Sequence, residues 1–235
     1  MIIMDSTPSK KELVSWAIKG VLYKAYVGVV LMLSAGRWDW IGGWIYVAVF
    51  LAFDAACAIV VIPRNPELLL ERTRRNQNVA AWDKVIMPLA AGILPLFSWI
   101  IAGLDLRFGW APEVRPALQA AGLVLTVIGY GIVVWAMGAN AFFSAVVRIQ
   151  EDRGHQVASG GPYRWVRHPG YVGAILFSGG IPFLLESWWA LIPSLGSVIL
   201  FVLRTALEDR TLQEELPGYI DYMQKTKYRL IPGVW

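Results

Sequence analysis

The sequence predicts an all-α protein, a polytopic membrane helical bundle of about six apolar segments. The last two form a C-terminal helical hairpin, and a cytoplasmic amphipathic helix follows. Three observations carry this prediction. Hydrophobic residues make up 57% of the chain and charged residues only 16%, against about 25% charged in soluble domains. The apolar residues come in unbroken runs. No charge falls between Val85 and Leu104 or between Pro116 and Val147, and only Glu186 falls between His168 and Leu203. About 20 apolar residues span the roughly 30 Å hydrocarbon core as a helix, and these runs lack the alternation of a barrel strand.

The first segment, about Val14 to Ala35, is the weakest, because Lys19 and Lys24 interrupt it. Both lie towards its N-terminal end, within snorkelling reach of the interface. Lys10 and Lys11 ahead of it read as the flank of a signal anchor rather than of a cleaved signal. The second segment, about Trp40 to Ile62, contains Asp54, which a lysine of the first segment is placed to neutralise. The third runs from about Val85 to Leu104 and the fourth from about Leu118 to Asn140. The fifth and sixth flank Glu186-Ser187-Trp188 at about 17 residues each, roughly 25 Å of helix, and predict a tight, tilted hairpin.

Lys and Arg set the orientation. With a cytoplasmic N-terminus, 16 of them fall on the cytoplasmic side. Three, Arg37, Arg107 and Arg115, fall on the far side, and Lys19 and Lys24 lie within the first segment. That bias places both termini in the cytoplasm. Trp38, Trp40, Trp44, Trp110, Trp188, Trp189 and Trp235 fall at the expected interfaces, as aromatic belts do. The net charge of +4 is accounted for by the same rule, without a nucleic-acid partner. One cysteine, Cys57, excludes an intrachain disulfide and reads as a small buried hydrophobe. With two histidines, no metal site is expected. The loop from Pro63 to Trp82 reads as a solvated loop with a short interfacial helix.

Two polar constellations stand out, both on the cytoplasmic side. The first is Gly160-Gly161-Pro162-Tyr163-Arg164-Trp165-Val166-Arg167-His168-Pro169-Gly170-Tyr171-Val172-Gly173. It reads as a glycine-rich turn and then a helix start, with Pro169 in the first turn. Free N–H groups there, with Arg167, favour an anion. The glycines permit close approach of a ligand, and Tyr163, Trp165 and Tyr171 offer faces to a base or a cation. A basic, aromatic interfacial turn explains the same residues without a ligand. The second constellation is Arg204-Thr205-Ala206-Leu207-Glu208-Asp209-Arg210. Arg204 and Glu208 share a helix face; they read as an ordinary ion pair or, at membrane depth, as functional groups.

Together these stretches resemble the isoprenylcysteine carboxyl methyltransferases and the related phospholipid methyltransferases. Gly161-Pro162-Tyr163 and Arg167-His168-Pro169-Gly170-Tyr171 with Gly173 resemble that signature. Asn140-Ala141-Phe142-Phe143-Ser144 and Gln150 look like its approach. Arg204 with Glu208-Asp209 resembles its Arg-x-x-x-Glu-Glu element, Asp209 standing where a second Glu is common. The ending Tyr219-x-x-Tyr222 with Tyr228-Arg229-Leu230-Ile231-Pro232-Gly233 is similar to that of bacterial members.

The resemblance covers about residues 140–235 and implies a methyltransferase core there, with lipid-side transmembrane helices over residues 1–139. It implies S-adenosyl-L-methionine as methyl donor. The donor pocket would use Gln150, His155, Gln156, Val157, Ala158, Tyr163, Arg167, His168, Pro169, Gly170, Tyr171 and Glu208. Arg204 would face the acceptor, so Arg204 and Glu208 are the implied catalytic pair. The implied acceptor is a lipid-like or prenylated small molecule met in the membrane lipid, in a bacterial inner membrane or endoplasmic reticulum. Phospholipid N-methylation is the alternative within the class. An NADPH-dependent sterol-type reductase, which shares an Arg-His-Pro-x-Tyr element, is the alternative outside it.

Overall fold

The computed structural model describes residues 9–68 and 79–235. Among them the regular structure is all helical: α1 (Lys10–Ala35), α2 (Ile41–Val61), α3 (Asp83–Phe108), α4 (Pro116–Ala139), α5 (Pro169–Leu184), α6 (Leu191–Glu215) and the short α7 (Tyr219–Lys225). Five of these, α1, α2, α3, α4 and α6, are long and apolar enough to cross a membrane; α5 is apolar but shorter. Ile18, Leu22, Ile59 and Ile199 are each more than half exposed, as lipid-facing side chains are. The chain is an integral membrane protein.

Local chemistry sets the helix ends. Ser9 caps α1 and forms a reciprocal box with Glu12. Gly36 closes α1 at φ 68°, a left-handed conformation that glycine adopts freely. Pro88 lies inside α3, and the next five residues, Leu89–Ile93, form a π-turn. Proline's missing N–H is a usual cause of such a break. Pro169 opens α5 at its first position.

Helices α4 and α5 pack backbone to backbone through glycine. A Cβ on Gly129 would lie 2.6 Å from the Gly173 carbonyl, and one on Gly122 would lie 2.7 Å from that of Gly180. Small residues let membrane helices pack on their backbones. Gly173 therefore serves helix packing, and not the ligand approach expected from the sequence. Gly170 similarly meets the Phe143 ring.

Several expectations about the segments need adjustment. Lys24 does not snorkel; it is buried and pairs with Asp54 at 2.6 Å. Trp40 is buried and its indole donates to Glu186 rather than lying in a lipid belt. The sixth segment extends well beyond 17 residues, because α6 continues through its charged half to Glu215. Cys57 is buried beside Val61 and Val133. Residues 69–78 of the Pro63–Trp82 loop, including the Glu-Arg-Thr-Arg-Arg run, lie outside the described residues.

Candidate active site

Three pieces of chain converge where α4 ends, α5 begins and the charged half of α6 begins. Between α4 and α5 the chain makes two short 3-10 turns, Glu151–Arg153 and Gly161–Arg164. The C-terminal tail then folds back beside the second turn. Arg167 N donates to Tyr228 O at 2.9 Å and His168 N to Arg229 O at 3.0 Å.

A cavity of about 360 Å³ opens between these pieces and continues down among the helices. Its polar end is lined by His155, Tyr163, His168, Tyr171, Glu208 and Tyr219. Its other arm is apolar and aromatic, with Tyr23, Tyr46, Phe50, Trp99, Tyr130 and Phe177. Phe50 stacks on Tyr130 at 5.7 Å, and Phe177 packs on Tyr130 at 4.6 Å. Within this arm Trp99 Nε1 and Ser197 Oγ make no hydrogen bond among the described residues.

All the donor residues expected from the sequence line this cavity except Gln150 and Pro169. Gln150 is fully buried behind the wall. Its amide donates to Phe142 O at 2.8 Å and accepts from Arg153 at 2.6 Å, so it braces the loop. Pro169 is buried at the start of α5. Gly170, next to it, does line the cavity; in this first turn Pro169 has no N–H, and Tyr171 N and Val172 N already donate to His168 O at 3.0 and 3.3 Å, so Gly170 carries the N–H that can face a ligand. His155 stacks on Phe142 at 4.7 Å, and its Nδ1 accepts from Gln150 N at 3.3 Å. Burial, helped by Arg148 and Arg153, lowers its pKa to about 4, so the ring is neutral at physiological pH.

Arg167 lines the cavity, but its hydrogen bonds go elsewhere. Nε and Nη2 donate to the two oxygens of Asp209 at 2.8 and 2.9 Å, and Nη1 to the carbonyls of Thr226 and Lys227. The anion-holding role expected of this side chain gives way to a staple between motif and tail. Asp209, which stands where a second Glu is common, is the hub of that staple. It is fully buried and also accepts from His168, Gln213, Tyr219 and Arg229. Burial, then the nearby Asp209 charge, pushes the Tyr219 phenol far above its ordinary range, so it stays protonated and donates.

Arg204 and Glu208 are one helical turn apart but do not pair with each other. Arg204 donates through Nε and Nη2 to Asp83 at 2.6 and 2.9 Å, and through Nη2 to Ala145 O at 2.9 Å. Glu208 instead accepts from the Tyr171 hydroxyl. The ordinary helix ion pair is therefore not what the side chains form. Asp83 was not singled out in the sequence, and no local signal would have found it. It lies 121 positions from Arg204, at the start of an apolar helix where an acidic residue suits the dipole.

The family described as phospholipid methyltransferase matches residues 118–217, which include both polar constellations. Protein-S-isoprenylcysteine O-methyltransferase of Mus musculus is 30% identical over 220 residues, covering 88% of this chain and 71% of that protein. The Rattus norvegicus protein of the same name is 29% identical over 222 residues with the same coverage. The chain belongs to the protein-S-isoprenylcysteine O-methyltransferase family. This family member is a membrane methyltransferase, which removes the reductase alternative. The Homo sapiens relative, 28% identical over 220 residues, likewise matches 88% of the chain, so the resemblance extends beyond residues 140–235 into the N-terminal helices.

Proposed function

We propose that the chain transfers a methyl group from S-adenosylmethionine to the carboxylate of a prenylated cysteine. The observation that carries this reading is the single cavity with a polar, tyrosine-rich end and an apolar aromatic arm. The polar end suits the donor. Glu208 offers a carboxylate to a cation, the tyrosines offer faces, and Gly170 in the first turn of α5 offers its N–H to a carboxylate. When bound, S-adenosylmethionine would supply a methyl group activated by its positively charged sulfur, the acceptor oxygen bonding to the methyl carbon as the carbon–sulfur bond breaks and S-adenosylhomocysteine leaves. Glu208 holds the cationic end of the donor, and Arg204 orients the acceptor with the Nη1 edge that Asp83 leaves open. The apolar arm takes the lipid tail and excludes water. A carboxylate acceptor is already ionised at neutral pH, so no residue need remove a proton.

In this reading residues 140–235 form the donor core and residues 1–139 the lipid side, which supplies Tyr23, Tyr46, Phe50 and Trp99 to the arm. The Lys and Arg bias supports cytoplasmic termini and donor entry from the cytosol. Calorimetric titration of the detergent-purified protein with S-adenosylhomocysteine and with NADPH tests the donor. Binding of the first that weakens in Glu208→Ala is expected; binding of NADPH alone would sink the reading.

A further inference from the structure

We propose that Asp83 is a positioning residue that keeps the two halves of the site apart, by holding Arg204 away from Glu208. The inference rests on the donor reading above. Arg204 and Glu208 stand at i and i+4 on α6, where opposite charges pair by default. Both line the same cavity, and a pair between them would neutralise the carboxylate needed by a cationic donor.

Asp83 prevents this from outside the matched region 118–217. It is 1% exposed, and both its oxygens grip Arg204, at 2.6 and 2.9 Å. Its Oδ2 also accepts from Val147 N at 2.7 Å, so one carboxylate fixes both the arginine and the loop beside it. The guanidinium is a rigid fork. With Nε and Nη2 turned to Asp83, only the Nη1 edge remains, and it makes no hydrogen bond among the described residues. Tyr171 fills the space so made. Its ring lies 5.4 Å from the Arg204 guanidinium carbon and its hydroxyl donates to Glu208. Without Asp83, the Arg204 charge would turn along its own helix to Glu208.

S-adenosylhomocysteine binding, measured by calorimetry on the detergent-purified full chain, tests this without turnover. Asp83→Asn is expected to weaken binding about tenfold, the loss of one charge-assisted contact. Asp83→Asn with Arg204→Gln, which removes both charges of the buried pair together, is expected to restore it. A merely structural role for Asp83 predicts that affinity only follows the unfolding midpoint of each variant in denaturant, whereas the inference predicts weaker binding by protein that is still folded. Should Asp83→Asn not fold, Asp83→Glu keeps the buried pair while pushing the guanidinium towards Glu208. It is expected to weaken binding, again relieved by Arg204→Gln. Wild-type affinity in the folded Asp83 variant, or no recovery in the double variant, overturns the inference while leaving the donor reading intact. Absence of binding by the wild type sinks the donor reading and the inference with it.

Discussion

Asp209 accepts hydrogen bonds from five side chains, those of Arg167, His168, Gln213, Tyr219 and Arg229. Two arginines and a fully buried carboxylate make a network in which removing one member strands the others. Asp209→Asn is expected to destabilise the protein by about 3–5 kcal/mol, the usual result of breaking a buried pair from one side. Denaturant unfolding in detergent checks this. His155 gives a pH dependence. Its pKa is lowered from 6.5 to about 4, so at intermediate pH the unfolded chain binds a proton that the folded loop does not. Its contribution to stability is full above pH 6.5 and is lost as pH falls towards about 4. His155→Gln should flatten that part of the stability profile. Ser197 makes the opposite case. Its hydroxyl is buried and has no hydrogen-bond partner among the described residues, so Ser197→Ala should be neutral or raise the melting temperature.

The helices were legible because lipid imposes a simple code of length and apolarity. The positions of the first four segments and the hairpin turn at Glu186 follow from that code. Their ends do not. The charged half of α6 is helical because tertiary partners such as Asp83 and Arg167 satisfy its charges, and no local pattern records those partners. The roles of the glycines were ambiguous for a related reason, since a small residue suits a ligand and a neighbouring helix equally. Gly129 and Gly131 separate the two cases on one helix. A Cβ at Gly129 meets the α5 backbone, whereas one at Gly131 meets nothing within 4 Å. Gly131→Ala should stabilise α4 by about 0.5–1 kcal/mol. Gly129→Ala should separate α4 from α5 and lower the melting temperature; equal effects would contradict the packing described.

Across the whole molecule, the cavity links the polar motif to the space among the apolar helices. Both Glu208 and Ser194 line it, and they stand 14 positions apart on α6, about 21 Å of helix. That depth suits a lipid tail lying beside a polar donor. The motif residues were legible from their resemblance to a family, but their division of labour was not. Arg167 is a staple and Gln150 a brace, while the N-terminal half contributes Asp83 and most of the aromatic arm. The most direct test of the account is transfer of labelled methyl from S-adenosylmethionine to N-acetyl-S-farnesylcysteine, run beside phosphatidylethanolamine with the wild type and Glu208→Gln. The account predicts a base-labile methyl ester on the prenylated cysteine, and its loss in Glu208→Gln through weaker donor binding. Label appearing only in the phospholipid amine, or only in water-soluble acceptors, would contradict it.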